Sequence, residues 1–300
     1  MSETIENILK SGRHFCVCGV CWKSNGECIC NKNSRVSNFV NDKTFTIVTS
    51  LIDIDRGNWN TIYKRDIDLY FYFLSQILSL DCNFYIYMDD RYIEYFNGLV
   101  KQLGKDSSTI KIVPVNVKDL IMYNHYDKIK NIMSDESRKN NISDKDCPEL
   151  INPEYNIVVN SKVNLVYKAS LDNVFNSTHF VWLDAGYGHG KIEIPNEWYP
   201  INLLTNKIEV LCLRDVSEID IDYKVFFDKH IDVVNGGIFA CNLNNIKKYN
   251  DIYYDTIDKC IINNITDDDQ YTVSMVIKNN PGLFNTHVNK DWYCAFDMFK

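Results

Sequence analysis

Eleven residues, Phe180 to Gly190, limit what this chain can fold into more than any other stretch: F-V-W-L-D-A-G-Y-G-H-G. Phe180 to Leu183 form an apolar run of strand length, short enough to be buried on both faces. The run stops at Asp184, and Gly186, Gly188 and Gly190 follow at once. A buried strand whose carboxyl end opens into a site has this form, because ligands of open α/β sheets bind outside the carboxyl ends of the strands. Glycine lets the backbone pass close to a ligand where a Cβ would collide. The same residues also read as a tight turn capped by Asp184, so the surrounding sequence has to decide.

That surrounding sequence alternates strand and helix signals. T-F-T-I-V-T-S-L from Thr44 is rich in β-branched residues and predicts a first strand, which closes on the charged turn Asp53-Ile54-Asp55-Arg56-Gly57. Helical spacing then predicts a helix from Trp59 to Leu80, a strand over 83–88, a helix over 92–103 and a strand over 110–115. This order implies an α/β fold with a mainly parallel sheet and right-handed crossovers. Residues 116–133 carry mixed helical signals, and 134–156 turn polar, as a surface lid or an inert insertion would. A helix is predicted over 160–174, with Lys162 in its first turn, where the helix dipole disfavours a cation. Either an anion sits nearby or the lysine is solvated.

Further along, 208–214 reads as a strand. So does 232–242, which is interrupted by Asn235-Gly236-Gly237 as either a β-bulge or a close ligand approach. A helix over 245–265 follows, and Thr266 to Asp269 fit a capping box for the next helix. That helix stops at Asn280-Pro281. The tail interleaves His287, Lys290 and Trp292 with aromatic residues.

The formal net charge of −8 argues against a nucleic-acid groove or an anionic membrane surface as the main partner. No apolar window reaches transmembrane length, and the N-terminus lacks signal-peptide features, so a cytoplasmic location is expected. Disulfides are not expected there. Residues 1–43 form a polar, cysteine-rich extension ahead of a domain over 44–300. Five of the eleven cysteines (Cys16, Cys18, Cys21, Cys28 and Cys30) cluster there, as a small zinc knuckle or as reduced thiols. The other six sit mostly in apolar stretches and read as small buried hydrophobes.

Taken in order, V-T-S-L-I-D-I-D-R (48–56), N-S-K-V-N-L-V-Y-K-A (160–169), the Phe180 stretch, V-V-N-G-G-I-F, and D-D-Q followed by N-P-G-L-F resemble the HtrL/YibB (WlaTC-like) family of proposed glycosyltransferases. More distantly the chain is similar to glycogenin-like enzymes with the Rossmann-like, A-type glycosyltransferase fold. The resemblance implies transfer of a sugar from a nucleotide-sugar donor to a glycan, protein or lipid-linked acceptor, with a divalent metal, manganese or magnesium. It assigns Asp184, Asp269 and Gln270 to catalysis, and Asp184 and His287 to the metal. It assigns donor binding to Lys162, Asn235 and Gly236, and Thr49, Asp53, Arg56, Gly186, His189, Gly237 and Lys290, in or beside the same motifs, are further donor-binding candidates.

Two departures stand out. Gly186 replaces the second Asp of the D-x-D pattern, and His287 and Lys290 are closer together than in the glycogenin-like enzymes. With one carboxylate missing, His287 or His189 is the natural substitute ligand, and both are expected beside Asp184 in one pocket. The missing carboxylate also keeps a second function open: an inactive member that binds a nucleotide sugar or glycan, or serves as a scaffold. A nucleotidyltransferase is disfavoured because no glycine-rich triphosphate loop follows the first strand.

Overall fold

The computed structural model describes residues 45–136, 144–195, 197–218 and 231–299, together with two short strands near the N-terminus. Those two, β1 (His14–Phe15) and β2 (Trp22–Lys23), pair antiparallel. The five clustered cysteines, and with them the zinc reading, lie outside the described residues.

Seven strands form one sheet: β3 (Phe45–Leu51), β4 (Asn83–Met88), β5 (Ile110–Pro114), β6 (His179–Leu183), β7 (Ile208–Cys212), β8 (Val234–Asn242) and β9 (Phe284–Val288). Their spatial order is β5-β4-β3-β6-β8-β7-β9. Only β8 runs against the rest. Every residue of β4 and of β7 is buried, as parallel strands are when helices cover both faces. Helices α1 (Ile67–Ile77) and α2 (Ile93–Gln102) cover one face, over a core that includes Phe71, Leu74, Phe84, Phe96 and Leu183. The other face lies under α3 (Tyr126–Met133), α4 (Pro153–Asn160), α5 (Lys162–Asp172), α6 (Leu243–Ile262) and α7 (Asp269–Asn279). Its core includes Trp182, Phe239, Tyr249 and Tyr253.

The expected α/β sheet is present, with local corrections. The first helix begins at Ile67 rather than Trp59, so 55–66 is loop and 3-10 turn. Part of the expected polar loop is helical, at Pro148–Ile151 and in α4. The cap of α7 is Asp268, not Thr266: its Oδ1 accepts from the N–H groups of Gln270 and Tyr271. The tail contains an edge strand, β9, that its polar sequence concealed. The six cysteines outside the N-terminal cluster are buried, as expected, and form no disulfide among the described residues. No helix among the described residues is long and apolar enough to cross a membrane.

The chain leaves β3 toward β4 on one side of the sheet, while β6 flanks β3 on the other. Their carboxyl ends therefore border a topological switch point, where connections part and leave a crevice.

Candidate functional site

That crevice is a cavity of about 570 Å³, within the range of ligand sites. Its walls come from the loop after β3, the start of α5, the turn after β6, the Asn235-Gly236-Gly237 stretch, the start of α7, and Trp292 and Tyr293 of the tail.

On the β6/β8 side the charged groups are tied to one another. Lys162 Nζ lies 3.1 Å from Asp184 Oδ1 and 2.8 Å from Asp269 Oδ2. It also donates to the Gly236 carbonyl at 2.8 Å. An ammonium has three hydrogens, and three acceptors take them. Burial opposes the charge of Lys162, but the carboxylates of Asp184 and Asp269 outweigh it and push its pKa up. Burial raises the Asp269 pKa to about 6, with Lys162 pulling the other way. Asp184 is fixed further by the Trp182 indole, which donates to Oδ1 at 2.7 Å.

Local sequence explains this assembly. A Cβ on Gly236 would stand 2.6 Å from Asp269 Oδ2, so only glycine admits that carboxylate. The register of β8 slips here as well: Val210 faces Phe239 while Cys212 faces Val234. The bulge reading of the glycine pair thus holds, and the group that approaches Gly236 in this fold is the protein's own Asp269. Gly237 is not a free donor, because its N–H bonds Asn235 Oδ1 at 2.8 Å. Asn160, the last residue of α4, which the sequence reading passed over, ties that helix to α6 and α7. Its Nδ2 donates to the Asp267 carbonyl at 2.8 Å, and its Oδ1 accepts from Tyr253 and Thr272. Gln270 lines the cavity with its Oε1 buried and unpartnered, while its Nε2 donates to Asp268.

Across the cleft the loop after β3 presents two arginines. Arg56 donates through Nε to the Tyr63 carbonyl and through Nη1 to the Tyr70 hydroxyl, each at 2.8 Å. Its guanidinium also sits 5.2 Å and 5.7 Å from the ring centres of Trp59 and Tyr155. Arg65, absent from the sequence assignments, donates to His189 Nε2 at 2.9 Å. Its backbone N–H bonds the Arg56 carbonyl, which brings the two arginines together. His189 is delivered by the glycine turn, where Gly188 and Gly190 both adopt positive φ. Burial, aided by Arg65, lowers the His189 pKa to about 4. The neutral ring then accepts from Arg65 at Nε2 and donates through Nδ1 to the Tyr293 hydroxyl, 2.8 Å away. Asp53 accepts from Tyr92 at 2.7 Å and sits 3.8 Å from Arg91.

Three expected residues are not in the cavity wall. Thr49 is buried in β3, with its hydroxyl unpartnered. Lys290 is exposed. His287 lies on β9, three strands from β6, or roughly 14 Å at about 4.8 Å per strand. It is also on the opposite sheet face, bonding the buried Glu209 at 2.6 Å, with its ring against Phe299. His287 and Asp184 therefore cannot share an ion, whereas His189 does line the cavity with Asp184, as expected. The implied divalent metal does not fit the residues that remain. Position 186 carries no carboxylate, and the two carboxylates that do converge already hold the ammonium of Lys162 between them. Among the described residues no group of three or more His, Cys, Asp or Glu could hold a metal ion.

Residues 43–300 match the HtrL_YibB family, described as a bacterial protein of unknown function, and the chain belongs to that family. No curated protein matches the chain.

Proposed function

We propose that the cleft binds a nucleotide sugar and transfers its sugar to an acceptor, and that the sheet is a variant of the A-type glycosyltransferase fold. One observation carries the reading. Segments far apart in sequence (the Asp53 loop, Lys162, the Asp184 turn, Asn235-Gly236 and Asp269-Gln270) converge on one cavity at the switch point, and from Lys162 to Gln270 they follow the order of the glycogenin-like pattern, whose late histidine has no counterpart in the wall.

The residues divide the work by chemistry. At the start of α7 the unpartnered Oε1 of Gln270 is the acceptor offered to a sugar hydroxyl, while Asp269 is held by Lys162. Lys162 keeps Asp269 and Asp184 from repelling each other and fixes their directions, so it positions groups rather than touching the donor. Trp292 and Tyr155 offer faces on which a sugar or base can stack. As the glycosidic bond breaks, the leaving nucleoside diphosphate gathers negative charge that the site has to neutralise.

A second reading, an inactive nucleotide-sugar binder, is favoured by Gly186 and by the mutual pairing of the carboxylates with Lys162. Incubating the full chain with a panel of nucleotide sugars, with and without manganese, separates the two. Release of a nucleoside diphosphate from at least one donor is expected. Donor binding without release establishes the second reading, and no binding of any donor removes both.

A further inference from the structure

We propose that Arg56 and Arg65 form a clamp for a diphosphate group that works without a divalent metal. The proposal rests on the nucleotide-sugar reading of the cleft and narrows it to how the diphosphate is held.

The cavity wall is rich in carboxylates, Asp53, Asp144, Glu149 and Asp232 among them, so a cation there would ordinarily find an acidic partner. Lys162 has two. Among the described residues neither Arg56 nor Arg65 has any; their partners are a carbonyl, a phenol, two aromatic rings and a neutral imidazole. A guanidinium carries five N–H donors. Arg56 spends two and Arg65 one on the protein. The donors left over belong to planar groups whose orientation is already fixed, the geometry that grips phosphate oxygens in pairs.

The groups that hold the arginines suit an anion site. Trp59 and Tyr155 flank Arg56 without neutralising it. His189 directs Arg65 through a lone pair, and its proton goes to Tyr293 rather than toward the guanidinium. The carboxylates that would have held a metal are occupied by Lys162, whose three hydrogens are spent inside the protein. Among the described residues, the neutralising charge left in the cleft wall is thus that of the arginine pair.

The test is calorimetric titration of the full chain with inorganic pyrophosphate, uridine diphosphate and orthophosphate, in EDTA and, in parallel, with manganese or magnesium. Both diphosphates are expected to bind in EDTA, at least about tenfold more tightly than orthophosphate. Arg56→Gln and Arg65→Gln are each expected to weaken diphosphate binding by about tenfold or more. Arg65→Lys, which keeps the charge and loses the fork, falls between, and thermal melts confirm that each variant is folded. Pyrophosphate binding without uridine diphosphate binding supports the clamp for a free diphosphate.

Binding that appears only with manganese or magnesium and disappears in Asp184→Asn overturns the proposal. So does EDTA-resistant binding that both arginine variants retain. The two readings fail separately. A clamp that binds pyrophosphate while no nucleotide sugar is turned over removes the transfer function and leaves the clamp. Turnover that needs manganese and ignores both arginines does the reverse.

Discussion

The two walls of the cleft handle charge in opposite ways. On the β6/β8 wall Lys162, Asp184 and Asp269 satisfy one another, and the side chains of Lys162 and Asp269 are only 9% and 8% exposed. On the loop wall Arg56 and Arg65 are half-buried, held by neutral groups, and left with donors to spare. A buried charge whose partners are internal belongs to the architecture, since its removal strands the partner in low dielectric. A charge that the fold orients but does not neutralise is available to a ligand. Substitution should therefore cost the first wall stability and the second wall binding.

The largest effect is expected from Lys162→Met, which leaves two carboxylates facing each other without a cation. Breaking a buried pair in this way costs about 3–5 kcal/mol, readable as a lower denaturant midpoint. Adding Asp269→Asn should return part of the loss. A Lys162→Met protein as stable as the parent would mean that this wall is not structural.

Next comes pH. With the Asp269 pKa raised to about 6 in the fold, its stabilising contribution is complete below the unfolded value near 4 and is lost as pH rises through 6. The change is on the order of 2–3 kcal/mol. The stability difference between the parent and Asp269→Asn should move against the parent by that amount from pH 4 to pH 7. A difference that does not vary with pH would show that Asp269 is not held in this buried setting.

His287→Ala tests a third region, the far face of the sheet. Glu209 there keeps Asn285 and Thr205 but loses its imidazole, at a cost of about 1–3 kcal/mol. Nucleotide binding should not change, and a loss of binding in a folded variant would return His287 to the site. The smallest effect on stability is expected from Arg65→Gln, which forfeits one hydrogen bond to His189, worth about 1 kcal/mol or less. Its consequence should lie almost wholly in diphosphate affinity.

How much of this was legible in the sequence follows the same division. The β6/β8 wall was readable because its parts are anchored by periodic elements. An apolar run ending at Asp184, a lysine at a helix start, an N-G-G break in a strand and D-D-Q ahead of a helix each mark a place in the sheet. What the sequence could not show is that these parts bond one another. The loop wall was concealed by a period that extends too far: apolar spacing from Trp59 onward mimics a helix that forms only from Ile67. Arg65 was thereby hidden on an expected helix, and its partner His189 is 124 residues away. His287 was misplaced because its position depends on β9 pairing beside β7, and a short edge strand with polar residues has little signature of its own. The glycine pair gave the right local answer for an incomplete reason, since the group it admits is Asp269.

The most direct measurement of the central claim is hydrogen–deuterium exchange of the full chain with uridine or guanosine diphosphate, each in turn and in EDTA. If the cleft at the switch point takes the nucleotide and the loop wall holds its diphosphate, one of them will slow exchange across residues 52–66 and 184–191, and leave 284–288 unchanged. Protection confined to segments outside the cleft, or no protection by either nucleotide, would contradict the account.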